Sequence, residues 1–255
     1  MKAVTPALSA LLLIALALFP LAGCGVKGPV KPPLSRSPSA AKGLATRQIG
    51  ERLLVSWAIP KTNQDGSPLA LQGFEIFRNA YEPASGCPDC GQSQDPFLII
   101  DLEYLQDVTR DGDRLSFQET SLTPGSGYLY RIVPVNTRGE KGPPATIQTI
   151  FHPVPPPPRQ PIATRETRGI RLSWSTSPGE TREAGFLGYN IYRRETDQSL
   201  PLTPVNEEYL IDITYLDEGT ASDQDRTAAY TLRSVWRIGD QLVESTDSAP
   251  AAQPE

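Results

Sequence analysis

One pattern constrains this chain more than any other. A series of short apolar segments occurs twice, in the same order, roughly one hundred residues apart. Leu53-Leu54-Val55-Ser56-Trp57 has a counterpart in Ile170-Arg171-Leu172-Ser173-Trp174. Gly73-Phe74-Glu75-Ile76-Phe77-Arg78 matches Gly188-Tyr189-Asn190-Ile191-Tyr192-Arg193. Phe117-Gln118-Glu119 pairs with Tyr215-Leu216-Asp217, and Tyr128-Leu129-Tyr130-Arg131-Ile132 with Tyr230-Thr231-Leu232-Arg233-Ser234. Apolar residues alternate with others along these segments, the two-residue period of a half-buried strand. Turn-forming clusters such as Asn63-Gln64-Asp65-Gly66 and Thr123-Pro124-Gly125 lie between them. Helical periodicity is nowhere persuasive. Short strands with frequent turns predict an all-β chain built as two sandwiches in tandem.

The first copy also carries Leu122-Thr123-Pro124-Gly125-Ser126-Gly127-Tyr128-Leu129-Tyr130-Arg131-Ile132-Val133-Pro134-Val135-Asn136. This run resembles the late-strand signature of fibronectin type III modules, and the chain resembles two such immunoglobulin-like modules. The resemblance implies that Tyr128 forms a tyrosine corner, its hydroxyl bonding back to the preceding loop. It implies that Trp57 and Trp174 fill the two cores and that Tyr230 is the late-strand tyrosine of the second copy. That copy departs from the pattern: Gln224-Asp225-Arg226 stands where Leu-x-Pro should precede the tyrosine.

The chain opens with Lys2, an apolar run from Ala7 to Leu18, and Leu21-Ala22-Gly23-Cys24. A short positive region, about 12 apolar residues and a small-residue cleavage site are the pattern of an export signal. The run is too short to cross a bilayer comfortably, which takes about 20 apolar residues. Leu-Ala-Gly-Cys resembles the bacterial lipobox, which implies cleavage before Cys24 and acylation of that cysteine, palmitate included. Several acyl chains on one residue give stable anchoring to membrane lipid, at about 0.8 kcal/mol per buried methylene. Gly25, rather than Asp, follows the cysteine. By resemblance to enterobacterial sorting, this implies the outer membrane, with the body facing the periplasm.

Proline marks the joints. Residues 24–41 read as a flexible tether rich in Pro, Ser, Gly and Lys. His152-Pro153-Val154-Pro155-Pro156-Pro157-Pro158 begins a second break at 152–161, where polyproline II should act as a stiff spacer between two bodies. The expected organisation is a signal peptide at 1–23, the tether, a first sandwich at 42–151, the spacer, a second sandwich at 162–248 and a disordered tail at 249–255. Charge follows the same divisions. Residues 1–41 hold Lys2, Lys27, Lys31 and Arg36 and no acid, within a chain of formal net charge −5. A basic tether on an acidic body argues against a nucleic acid partner, which calls for a basic face.

The most chemical-looking stretch is Cys87-Pro88-Asp89-Cys90 in an insertion between strands. Such a pair serves as a disulfide staple, a redox couple or half of a zinc site. Export to an oxidising compartment favours the disulfide, and a stapled loop is a natural contact element because it loses less entropy on binding. Zinc would need two further ligands, and His152 is the single histidine. Asp111-Gly112-Asp113, Asp223-Gln224-Asp225 and Asn63-Gln64-Asp65-Gly66 lack the ligand spacing of a calcium loop and read as turns. Neither a nucleophile elbow, a phosphate loop nor a dinucleotide fingerprint is visible. We therefore expect no catalytic residues, metal or cofactor. The expected function is that of a structural, scaffold or protein-binding module in the envelope, with an envelope protein as its second partner. An accessory role in envelope glycan processing is an alternative.

The tether suggests a further one. Cys24-Gly25-Val26-Lys27-Gly28-Pro29-Val30-Lys31-Pro32-Pro33 resembles the start of small outer-membrane lipoproteins that help mature the lipopolysaccharide translocon. On that resemblance Gly25, Lys27, Gly28 and Pro29 would contact a partner. Those lipoproteins lack the two sandwich domains.

Overall fold

The computed structural model describes residues 36–90, 93–176, 185–194, 201–218 and 228–252. Cys24, Gly25, Lys27, Gly28 and Pro29 lie outside them. The first repeat forms β1 (Lys42–Ile49), β2 (Arg52–Ala58), β3 (Leu71–Tyr81), β4 (Leu98–Asp101), β5 (Val108–Asp111), β6 (Arg114–Glu119), β7 (Gly127–Asn136) and β8 (Ala145–Ile150). The second forms β9 (Arg159–Glu166), β10 (Gly169–Ser175), β11 (Phe186–Arg194), β12 (Thr214–Asp217), β13 (Ala229–Ile238) and β14 (Gln241–Glu244).

Alternation builds two faces. On β2, Leu53, Val55 and Trp57 are buried, while Arg52, Leu54 and Ser56 occupy the other face. On β10, Ile170, Leu172 and Trp174 are buried in the same way. In the first repeat, strands β1-β2-β6-β5 form one layer and β4-β3-β7-β8 the other. In the second, β9-β10-β12 face β11-β13-β14. Two sheets with this strand order, closed over an apolar core, make each repeat a fibronectin type III-like sandwich.

The two cores are distinct. Trp57 packs edge-on to Phe74 at 5.5 Å, in a cluster with Ile76, Phe117 and Tyr130. Trp174 packs edge-on to Tyr189 at 5.3 Å, in a cluster with Leu172, Ile191 and Leu232. Each fully buried aliphatic or aromatic side chain contributes about 2 kcal/mol. Trp57, Tyr128, Trp174 and Tyr230 are all buried.

The glycine that opens the third segment of each repeat has a physical reason. A Cβ on Gly73 would lie 1.8 Å from the Ile100 carbonyl oxygen, and one on Gly188 would lie 2.5 Å from that of Leu210. Gly188 also has φ +138°, where L side chains are rare. At both positions the pairing register shifts as the strand begins, between Leu71 and Gly73 and between Phe186 and Gly188.

Three expected boundaries move. Residues 37–41 belong to the first sandwich rather than the tether: the Ser39 N–H donates to the Thr62 carbonyl at 3.1 Å, and Ala41 is part of the core. Residues 249–252 are not a loose tail. The Ala251 N–H donates to the Tyr230 carbonyl at 2.8 Å, and Ala163 to the Ala252 carbonyl at 2.8 Å. The proline run does not hold two bodies apart, because β14 of the second sandwich pairs directly with β1 of the first. Strand β9 starts at Arg159, inside the expected spacer. In each case the tertiary hydrogen bonds of these backbone groups, which composition does not report, decide the outcome.

Candidate functional site at the junction of the two sandwiches

Parallel pairing of Gln48 with Val243 and Ile49 with Glu244 fuses one layer from each sandwich. The result is a seven-stranded sheet, β11-β13-β14-β1-β2-β6-β5. Two residue pairs are a short ladder. Its companion is a buried polar cluster.

Glu244 ends β14 and is 3% exposed. Its carboxylate accepts from Arg47 of the first sandwich, through Nε at 3.1 Å and through Nη2. It also accepts from Asn190 Nδ2 at 3.0 Å, Tyr192 Oη at 2.7 Å and Arg233 Nη1 at 3.3 Å. The Glu244 carbonyl accepts from the Gly50 N–H at 3.0 Å. Arg233, equally buried, stacks over the Tyr192 ring at 4.3 Å and donates through Nε to Asp247 at 2.8 Å. Burial and the neighbouring Glu244 carboxylate push the Tyr192 phenol far above its usual range. A buried carboxylate with this many donors has its desolvation offset only while all of them remain.

Amides seal the opposite side. The Gln48 side chain forms a two-way clamp on the His152 backbone, donating at 2.7 Å and accepting at 2.9 Å. His152 Nε2 lies 2.7 Å from Gln241 Oε1, as an imidazole N–H donating to the amide. The only histidine is thus engaged on both backbone and ring in joining the sandwiches. Ser234 Oγ donates to the Pro156 carbonyl at 2.9 Å, so the proline run lies against β13.

Arg47 separates two surface grooves. One, of about 570 Å³, contains Glu207, Glu208 and Leu242. The other, of about 740 Å³, lies on the outer face of β2, β5 and β6 and is walled by Pro201, Leu202 and Thr203 of the second sandwich. Arg47 Nη1 holds that wall by donating to the Leu202 carbonyl at 2.9 Å.

A second buried motif recurs inside each sandwich. Glu119 of β6 accepts from Arg78 of β3 and Tyr130 of β7. Asp217 of β12 accepts from Arg193 of β11 at 2.9 Å and Tyr230 of β13 at 2.8 Å. Arg78 pairs across the ladder with Tyr130, and Arg193 with Tyr230. Tyr230 is therefore the structural counterpart of Tyr130, and the late-strand alignment read from the sequence shifts by two residues. The Tyr128 hydroxyl accepts from the Thr123 N–H at 2.8 Å, the geometry of a tyrosine corner. Ala228 holds that position in the second copy, and the Tyr230 hydroxyl donates to Asp217.

Cys87 and Cys90 are joined by a disulfide. Asn79 Nδ2 donates to the carbonyls of Pro88 at 2.6 Å and Cys90 at 3.0 Å, fastening the staple to β3. Sequence reasoning passed over Arg47, Glu244 and Arg233. A charged residue inside a strand segment was their one visible signal. Arg78 with Arg193, and Glu119 with Asp217, do recur in the repeat.

No protein-family profile matches this chain, and no curated protein matches it. Among solved structures, the FN1–FN3 domains of chicken CNTN1 are similar. Identity is 13%, the TM-score is 0.39, and the match covers 86% of this chain and 67% of that one.

Proposed function

We propose that the protein is a non-enzymatic binding or scaffold module of the bacterial envelope, anchored through acylated Cys24 and facing the periplasm from the outer membrane. The observation that carries this reading is the continuous seven-stranded sheet, locked by Arg47 and Glu244. A pair of sandwiches joined by a bare linker would reorient freely. These two share a sheet and a buried ionic cluster, so they hold one extended surface in fixed register. A fixed surface binds without paying the entropy of interdomain ordering.

Two measurements test the proposal. Metabolic labelling with an alkyne palmitate should mark the full chain and fail for Cys24→Ser. Labelling that survives the substitution would remove the anchor. Photocrosslinking probes at Thr109 and at Asp89, used in intact cells, should capture a discrete envelope protein. Probes that stay uncaptured on both faces would remove the binding role.

A further inference from the structure

The groove on the outer face of β2, β5 and β6 is rich in arginine. Arg52, Arg110 and Arg114 line it, and among the described lining residues Asp111 is the one carboxylate. Their guanidinium groups bond to neutral oxygens. Arg52 donates to Gln118 Oε1 at 3.3 Å, Arg110 to the Gly112 carbonyl at 3.2 Å, and Arg114 to the Gly43 carbonyl and Ser56 Oγ, both at 3.0 Å. Among the described residues none of the three forms an ion pair. The chain as a whole is acidic, with formal net charge −5. Asp111 stands across the ladder from Arg114 and offsets part of its charge, which leaves a local excess of arginine. Such an excess on an acidic body concentrates negative ligands there.

The spacing of the charges selects the ligand. Arg114 sits across from Ala58 on the ladder, six residues along β2 from Arg52. At about 3.3 Å per residue this separates the two rows by about 20 Å. One compact anion cannot bridge that distance, whereas an extended chain with several spaced negative groups can. Between the arginines the floor offers the hydroxyls of Ser56, Ser116 and Thr109, and the apolar surface of Leu54 and Leu202. Among the described residues the lining contains no aromatic ring on which a sugar could stack. Guanidinium forks match carboxylates two hydrogen bonds at a time.

We propose that this groove docks an extended acidic peptide segment of a partner protein, with Arg52, Arg110 and Arg114 receiving its carboxylates. The proposal rests on the binding-module reading and specifies where and what the module binds. The wall at Pro201–Thr203 comes from the second sandwich, so the groove is complete only when the junction is closed.

The test uses the purified full chain and a fluorescent peptide of about ten residues with glutamate at alternate positions. Fluorescence anisotropy should show binding that weakens as salt rises from about 50 to about 300 mM. The triple variant Arg52→Gln/Arg110→Gln/Arg114→Gln should weaken it at least about tenfold. Arg138→Gln/Arg168→Gln, which removes exposed arginines elsewhere, should leave it unchanged. Matching thermal midpoints would show that both variants fold. Absence of peptide binding, or equal loss in the control variant, overturns the assignment. So does arginine-dependent binding of anionic vesicles or an acidic polysaccharide in place of the peptide. If the groove variant still crosslinks the same envelope protein from Asp89, the groove assignment falls while the binding-module reading stands.

Discussion

Glu244 concentrates the chemistry of this molecule in one carboxylate. Glu244→Gln keeps the shape but leaves Arg233, 2% exposed, with less of its compensating charge. We expect a loss of about 3 kcal/mol, measured as a fall in the urea midpoint. Glu166→Gln, which breaks the exposed pair with Arg171, should leave the midpoint unchanged. Tyr130 and Tyr192 predict the alkaline limit. For Tyr130, burial and then the Glu119 hydrogen bond raise the phenol well above the usual 10. For Tyr192, burial and then the Glu244 charge do the same. The folded state thus holds these protons more tightly than the unfolded state. Their contribution is complete below about pH 10 and is lost as pH rises beyond it. Denaturation free energies measured across that range should fall with pH, and Tyr130→Phe/Tyr192→Phe should flatten the slope. Little of this was legible in the sequence. Arginine, glutamate and tyrosine inside strands look like solvated faces until the register shows that they converge.

The strand is the scale at which the sequence was most informative. Alternation identified Leu53 to Trp57 and Ile170 to Trp174 as strands because their inward positions must be apolar whatever the partner strand is. Recurrence of Gly73 and Gly188 was visible, though its cause was not. Only the paired backbone shows a carbonyl where a Cβ would stand. Gly73→Ala should therefore displace β4 from β3, and Gly188→Ala should displace residue 210 from β11. Each should cost about 2 kcal/mol or more, with amide exchange accelerating first in the displaced edge. The two-residue shift of the late strand has a similar origin. Tyr128 and Tyr230 each sit in a run of apolar residues, so composition alone aligns them. Pairing with Arg78 and Arg193 shows that Tyr130 and Tyr230 are the equivalent pair.

The whole molecule differs most from the expectation of two beads on a stiff string. Proline content correctly marked where one sandwich ends. It carried no information about whether the next would dock, because docking depends on Arg47 and Gln48 meeting Glu244, which lies far from them in the chain. With the junction intact, urea unfolding should be a single transition for both sandwiches. Arg47→Ala removes the ties to Glu244, Tyr192 and Leu202, and should split it into two. Tryptophan fluorescence and circular dichroism followed together would show whether the transitions separate.

The parallel ladder between β1 and β14 has one more consequence, which concerns solubility. The outer edge of β1 would otherwise present unpaired backbone groups to any passing strand, the usual origin of edge-to-edge association. Here the end of that edge is already occupied by the neighbouring sandwich of the same chain. Severing the chain within the proline run should therefore yield a first half that self-associates with rising concentration in light scattering. The uncut protein should remain monomeric under the same conditions.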